Sequence, residues 1–148
     1  MVVGETMRSI YSTLQKLREQ EKREKVLQYV EAESERQQKE DEVRQGYRRL
    51  EEERQVRNQS MGMRVVQDYL NMQRHMNLQK AEGELKQATA QVEDFRAQML
   101  QAQVECKVME RVIETVEESE RKRYNRLLER FNDEIAIMGW SRNNEIAK

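Results

Sequence analysis

Apolar residues in the second half of the chain recur in alternating steps of three and four. The series runs through twelve consecutive positions: Leu78, Ala81, Leu85, Ala88, Val92, Phe95, Met99, Ala102, Cys106, Met109, Ile113 and Val116. A heptad repeat of this length predicts a coiled-coil helix whose apolar seam faces a partner helix. A strict seven-residue repeat also implies a left-handed supercoil.

After Val116 the repeat continues in a new phase. The second series comprises Tyr124, Leu128, Phe131, Ile135 and Met138. The step of eight residues between the two series is typical of a stutter, which locally unwinds a coiled coil. Gly139 fits a helix C-cap, so we expect the helix to end near residue 138 and a short polar tail to occupy 139–148.

The first half carries a weaker pattern. An apolar stripe comprises Met7, Ile10, Leu14 and Leu17. Residues 31–42 are nearly all polar, so we expect loose packing there. Between the halves, Asn, Ser and Gly interrupt the pattern at residues 58–63, and this interruption predicts a turn.

These elements predict an all-α fold, a long antiparallel two-helix coiled-coil hairpin with an extended C-terminal helix. As one domain, the chain would form a helix over about 5–58, a turn over 59–63 and a helix over about 64–138. The helices would span about 80 and 110 Å at 1.5 Å per residue. Folding back from the turn places the N-terminus near residues 113–118. Residues 117–138 would then extend alone, and their uncovered apolar stripe is a candidate binding surface.

The composition suits long helices and excludes several classes of function. The 148 residues include no proline and 37% charged residues, a mixture typical of coiled coils. Disorder is the competing interpretation of so polar a chain, and the sustained periodicity argues against it. The net charge of −1 argues against bulk attraction to nucleic acid or anionic membrane. A single cysteine favours a reducing compartment, and no apolar run is long enough to span a membrane.

Candidate catalytic chemistry is weak. His75 is the only histidine and has no potential co-ligand or catalytic partner at a fixed spacing, so we interpret it as an exposed helix residue. Cys106 occupies a seam position and is expected to behave as a small apolar residue. The sequence contains no phosphate-binding glycine loop, nucleophile elbow or HExxH motif. We therefore expect no enzyme activity, catalytic residue, metal site or cofactor.

Two clusters have both a functional and a structural interpretation. Basic residues gather at Arg121, Lys122, Arg123, Arg126 and Arg130. They could dock on an acidic protein surface, contact DNA like the basic region of a zipper, or form a solvated face balanced by the preceding glutamates. Methionines gather near the predicted turn, at Met61, Met63, Met72 and Met76, with Tyr47 and Tyr69 nearby. They could bind a partner or cap the hairpin core.

The chain resembles the FliJ/YscO family, the stalk proteins of type III secretion export ATPases in flagella and injectisomes. The resemblance covers most of the chain and is carried by four segments: Gly46-Tyr47-Arg48, the apolar-aromatic cluster of Val65, Val66, Tyr69 and Leu70, the stretch from Lys107-Val108-Met109-Glu110 to Phe131-Asn132, and Asp133-Glu134-Ile135-Ala136. The family's other aromatic positions in the first helix are replaced here, where Glu40 and Val43 stand.

The resemblance implies a hairpin similar to the shaft of rotary ATPases, whose two termini enter the pore of a hexameric export ATPase. The turn side would contact the cytoplasmic domain of the export gate protein. Such a stalk promotes assembly of the ATPase ring, couples it to proton-driven export, and is linked to export chaperones. Its place would be cytoplasmic, peripheral to a membrane-embedded export apparatus, without nucleic-acid binding or membrane insertion.

Carried to this sequence, the resemblance assigns two contact surfaces. The ATPase-ring surface would comprise Met7, Ile10, Leu14, Leu17, Arg121, Arg123, Arg126, Leu128, Arg130 and Phe131. The export-gate surface would comprise Tyr47, Tyr69, Met72 and Met76. Two alternatives stay open: a scaffolding coiled coil that dimerises in parallel through the seam, with residues 58–63 as a hinge, and a chaperone-type adaptor that clamps export substrates.

Overall fold

Two long helices make up the protein in the computed structural model, which describes residues 2–57 and 64–147. Helix α1 is Val2–Arg57 and helix α2 is Arg64–Ile146. The helices pack against each other as a hairpin, and no strand occurs among the described residues. The predicted all-α hairpin is therefore confirmed. The predicted turn lies outside the described residues.

The sequence explains why these helices run so far. Neither helix contains proline, and most positions carry straight-chain residues that lose little rotamer freedom in a helix. Ion pairs along α1 add local support: Arg36 Nη2 lies 2.6 Å from Glu33 Oε1, and Arg36 Nη1 lies 3.1 Å from Glu40 Oε2. The hydrogen bond from Arg36 is the main cause that lowers the pKa of Glu33. Pairs at this spacing stabilise a helix by a few tenths of a kcal/mol each.

The end of α2 differs from the expected one. The helix continues past Gly139 to Ile146, so the expected C-cap and the polar, non-helical tail are wrong for residues 139–146. No described glycine has a positive φ, and a Gly C-cap requires one. Glycine inside a helix costs only about 1 kcal/mol relative to alanine, and no proline follows to stop the helix. Helix α1 begins three residues before the expected start, at Val2.

The described chain divides into two compact units, and the larger comprises residues 17–104. Every residue of the α2 seam within it, from Leu78 to Ala102, is buried or half-buried. The most buried positions of this unit are Ala32, Val43, Leu78, Ala88, Val92 and Ala102. The seam is therefore occupied by α1 of the same chain, which is not the arrangement that a parallel dimer through the seam requires.

In this unit α1 also follows a heptad pattern, although several of its seam residues are polar. A series of buried or half-buried positions alternates in steps of four and three: Lys25, Tyr29, Ala32, Arg36, Lys39, Val43, Gly46, Leu50 and Glu53, with Val26, Glu33 and Glu40 half-buried beside it. Long basic side chains can lie with their stems on apolar surface and their charged ends in water. Lys39 Nζ thus reaches Glu84 Oε2 of α2 at 3.0 Å, and Lys25 Nζ reaches Gln98 Oε1 at 2.9 Å. Within residues 31–42, Ala32, Arg36 and Lys39 are the positions that continue the seam.

The second unit comprises the described residues up to Lys16 and those from Glu105 onward. Cys106 is buried here, as expected of a small apolar residue, and Met109, Ile113 and Val116 are half-buried. Arg8 Nε lies 3.2 Å from Glu120 Oε2. A Cβ placed on Gly4 would lie 3.6 Å from Glu120 Oε1. The start of α1 therefore lies beside residue 120, just beyond the expected 113–118.

Candidate functional site

The C-terminal part of α2 exposes an apolar stripe. Every described residue from Arg121 to Ala147 is exposed. The terminal stripe is defined by the second heptad series, Tyr124, Leu128, Phe131, Ile135 and Met138, whose exposed fractions range from 40% to 60%. This pattern would bury the stripe in a coiled coil, but in the described structure its side chains stay exposed. The expected uncovered stripe after residue 117 is thus what the described structure presents.

Basic side chains occupy a different face of the same helical segment. Lys122, Arg123, Arg126 and Arg130 line one open groove together with Thr115, Glu118, Ser119 and Leu127. At 100° per residue, the centre of this basic face lies about 140° around the helix from the centre of the terminal stripe. Arg121 is not among the residues that line the groove. The segment therefore carries an apolar surface and a cationic surface that point in different directions around one helix.

Of the basic face, Lys122 forms an ion pair within the helix. Lys122 Nζ lies 2.7 Å from Glu118 Oε1 one turn earlier. The hydrogen bond from Lys122 is the main cause that holds the pKa of Glu118 below its usual value, followed by Coulombic attraction to the same ammonium group. Both partners are about two-thirds exposed, so the pair contributes little to stability. The guanidinium groups of Arg123, Arg126 and Arg130 are available for a partner with acidic side chains.

The N-terminal stripe of α1 is also exposed. Met7, Ile10 and Leu14 lie in the same unit as the terminal stripe, whereas Leu17 belongs to the other unit. Tyr11 and Gln15 are half-buried, and the stripe is displaced from these seam positions by one residue. A displacement of one residue turns a side chain by about 100° around the helix, away from the seam. The stripe therefore lies beside the seam, and 41–57% of each of its side chains is exposed.

A third exposed series lies at the start of α2, in the larger unit. We define the methionine stripe as Val65, Tyr69, Met72 and Met76, which follow heptad steps of four, three and four and are all exposed. It lies on the outer side of α2, since the seam residue Leu78 and the half-buried Asn71 are on the other side. The predicted gate-contact surface included Tyr69, Met72 and Met76 but not Val65, which the heptad spacing from Tyr69 could have identified.

Tyr47 does not join the methionine stripe. Its side chain lies in a groove formed by both helices, which Leu50, Glu53, Asn71 and His75 also line. The hydroxyl of Tyr47 donates a hydrogen bond to Glu82 across the helices, and that hydrogen bond is the main cause that raises the pKa of Tyr47. The predicted gate-contact residues thus divide between this groove and the methionine stripe.

The groove holds polar contacts that sequence reasoning missed. Arg74 of α2 forms an ion pair with Glu53 of α1 next to it. Neither residue stood out in the sequence, because one charged residue among many carries no signal without the helix register. Among the described residues, no group of three or more His, Cys, Asp or Glu side chains could hold a metal ion. His75 is exposed at the rim of this groove.

Within residues 2–57 and 64–147, neither helix has a stretch long and apolar enough to cross a bilayer.

The family model described as the flagellar FliJ protein matches residues 7–145. The chain belongs to the FliJ family. No curated protein and no solved structure matches the chain significantly. The family match covers both helices, including the terminal stripe, the basic face and the methionine stripe.

Membership of the FliJ family makes the chain a component of a flagellar or type III protein export system in general. Each exposed surface described above is therefore a candidate for protein–protein contact within an export apparatus. The family resemblance of the sequence is confirmed.

Proposed function

We propose that the protein is the central stalk of a type III export apparatus, with residues 121–138 inserted into the pore of the hexameric export ATPase. The observation that carries the proposal is the exposed terminal stripe, which continues the heptad pattern of α2 without an α1 partner. A helix of this kind gains most of its stability from packing of its apolar face. An enclosing ring supplies that packing.

The basic face supports a ring as the partner. The terminal stripe and the basic face point in different directions around one helix, so a partner on a single side can contact only one of them. Several ring subunits surrounding the helix can contact both. Lys122, Arg123, Arg126 and Arg130 would then meet acidic groups that line the pore, and contacts of this kind weaken with added salt.

The exposed α1 stripe enlarges the proposed ring contact. Met7, Ile10 and Leu14 lie in the same unit as residues 121–138 and are exposed. We include them, and Leu17, as side chains that would contact the ring as it closes around the termini. Contacts of exposed apolar side chains add affinity in proportion to the area that they remove from water.

For the export gate, we propose the methionine stripe and the groove of Tyr47 as the contact surface. Flexible thioether side chains adapt to a partner surface, and tyrosine is enriched at interfaces. Tyr69, Met72 and Met76 are exposed on α2, and Tyr47 is exposed on α1. The chaperone-type adaptor is the second candidate, favoured by the same methionine stripe, because an adaptable apolar surface also suits varied export clients.

The test of ring binding is the activity of the cognate hexameric export ATPase with and without the full-length protein. We expect the wild type to stimulate the ATPase. For the double variant Leu128→Ser/Phe131→Ser, we expect the concentration that gives half-maximal stimulation to rise by about tenfold or more. The matched control is Val108→Ser/Val112→Ser, two exposed positions on α2 outside the stripe. Equal loss of stimulation in the control, or none in the stripe variant, contradicts the assignment.

The gate contact has a separate test. Binding of the cytoplasmic domain of the gate protein is measured with Tyr69→Ser/Met76→Ser, while ATPase stimulation is followed in parallel. We expect weaker gate binding and unchanged stimulation. If the variant instead loses binding to export clients and keeps gate binding, the adaptor function replaces the gate contact.

A further inference from the structure

One aromatic side chain of the proposed export-gate surface is tied to both helices. Tyr47 belongs to α1 and is 54% exposed. Its side chain lies in the groove between the helices, and its hydroxyl donates a hydrogen bond to Glu82 of α2. A hydrogen bond from a hydroxyl to a carboxylate is charge-assisted and is stronger than one between neutral groups. The bond therefore holds an exposed ring, which would otherwise change rotamer, against the second helix.

The backbone beside Tyr47 is also close to α2. A Cβ added to Gly46 would lie 2.8 Å from Leu78 Cδ1, which is closer than Cβ atoms normally approach other atoms. Because glycine has no side chain, α1 can come this close to α2 directly before Tyr47. With the backbone beside Leu78 and the hydroxyl bonded to Glu82, both ends of the tyrosine side chain are placed relative to α2.

The other side chains of the proposed gate surface are held differently. The hydroxyl of Tyr69 accepts a hydrogen bond from Gln73 Nε2 at 2.9 Å, within α2 itself. Met72 and Met76 are exposed, and the methionine side chain has three rotatable bonds. A few anchor residues carry most of the binding energy of an interface, and an anchor already held in its bound rotamer loses less entropy on binding. The cross-helix hydrogen bond makes Tyr47 such an anchor.

Glu82 lies outside the groove that contains Tyr47. On α2 the groove is lined by Gln67, Asn71 and His75, and Glu82 lies two helical turns beyond His75. We propose that Glu82 is a positioning residue of the export-gate contact, whose carboxylate holds the Tyr47 side chain in the orientation that the gate protein binds. The inference rests on the proposed gate contact and adds a residue that acts through Tyr47 and not by touching the partner.

The titration of Tyr47 reports the hydrogen bond in the isolated full-length protein. The hydrogen bond to Glu82 is the main cause that raises the pKa of Tyr47, followed by Coulombic repulsion from the same carboxylate. In protein labelled with fluorotyrosine, fluorine NMR follows each tyrosine, and Tyr47→Phe identifies the signal of Tyr47. We expect Glu82→Ala to lower the pKa of Tyr47. The matched control is Glu93→Ala, which removes another exposed carboxylate of α2 and should leave the pKa of Tyr47 unchanged.

Binding of the cytoplasmic domain of the cognate gate protein measures the effect on the contact. We expect Glu82→Ala to weaken binding by about fivefold, the order of effect that immobilising one side chain has on affinity. Glu82→Gln keeps a carbonyl oxygen that can accept from the Tyr47 hydroxyl, so this variant should retain most of the affinity. Glu93→Ala should bind like the wild type. Circular dichroism checks that each variant is folded.

A double-mutant cycle separates positioning from direct contact. If Glu82 acts through the Tyr47 hydroxyl, Glu82→Ala should have almost no further effect on binding in the Tyr47→Phe background. Additive losses overturn the proposal, because they mean that Glu82 affects the gate protein independently of Tyr47.

The results also distinguish this inference from the proposed gate contact. If the wild type binds the gate domain and Glu82→Ala binds it equally well, the positioning role is overturned and the gate contact stands. An unchanged pKa of Tyr47 in Glu82→Ala also overturns the positioning role alone. If the wild type does not bind the gate domain, the gate contact and the positioning role both fall, although the titration still reports the hydrogen bond.

Discussion

Two stretches of α2 carry the same heptad pattern but have opposite exposures. From Leu78 to Ala102 every seam residue is buried or half-buried, whereas from Tyr124 to Met138 every residue of the terminal stripe is exposed. The residue types are similar, so the difference arises from the partner and not from the pattern. Helix α1 covers the first stretch, and its first residues lie beside Glu120. A heptad pattern predicts an apolar face; packing against a neighbouring helix decides whether that face is covered.

The largest expected difference in stability is between two variants that place a carboxylate in the covered stretch and in the terminal stripe. Val92→Asp puts a carboxylate at a position that is only 6% exposed. We expect a loss of about 3 kcal/mol in the free energy of unfolding and a melting temperature lower by about 10 °C. Ile135→Asp makes a similar change at an exposed position and should shift the melting temperature by no more than about 2 °C.

Thermal unfolding followed by circular dichroism measures both variants. Equal destabilisation would show that the terminal stripe is part of an internal core, and the comparison between the two stretches would then fail.

Two glycines sharpen the comparison within the larger unit. A Cβ on Gly46 would lie 2.8 Å from Leu78 Cδ1, whereas a Cβ on Gly83 would meet no atom within 4 Å. Gly46→Leu overpacks the seam, so we expect the free energy of unfolding to fall by about 1–2 kcal/mol. Gly83→Ala should raise it by about 0.5–1 kcal/mol through helix propensity alone. Urea unfolding provides the measurement, and stabilisation by both substitutions would mean that Leu78 does not pack against Gly46.

The smallest expected effect is a response to acid. The hydrogen bond from Lys39 is the main cause that lowers the pKa of Glu84 in the folded protein. A lowered folded-state pKa means that the contribution to stability is present above the ordinary carboxylate pKa and is lost as the pH falls through the lowered value. We therefore expect the melting temperature to fall below about pH 4, with a smaller fall in Glu84→Gln.

Glu118→Gln is the matched control for the acid response. The pKa of Glu118 is also lowered, but its partner Lys122 lies on the same helix, in the exposed part of α2. Loss of this pair should leave unfolding of the hairpin nearly unchanged. An acid response of Glu84→Gln identical to that of the wild type would show that the contact between Lys39 and Glu84 does not stabilise the folded state.

Much of the fold could be predicted from the seam of α2. All twelve predicted seam residues from Leu78 to Val116 are buried or half-buried. The α1 half of the seam was less visible, because Arg36 and Lys39 occupy seam positions with their charged ends paired at the surface. Hydrophobic patterns count such residues as polar, although their stems pack like apolar groups. Ala32 and Val43 are buried residues of the described part of α1. Arg36 and Lys39 lie between them at heptad spacing, so extending a heptad from Ala32 to Val43 would have identified both as seam positions.

The candidate sites were harder to predict than the fold. The sequence identified Tyr47, Tyr69, Met72 and Met76 as one surface, but the structure divides them between a groove and the methionine stripe, because Tyr47 bonds to Glu82. Membership of a face depends on helix phase and on cross-helix contacts, and composition reports neither. The helical segment after Gly139 was missed because a single glycine can continue a helix as well as end one.

The central claim is that the uncovered part of α2 binds the export ATPase ring. Hydrogen exchange along α2, measured for the free protein and for the protein bound to the assembled ring, tests it most directly. We predict that residues 121–138 exchange faster than residues 78–104 in the free protein and become strongly protected in the complex, while residues 64–76 do not change. Protection confined to residues 64–76, or none at residues 121–138, would contradict the account.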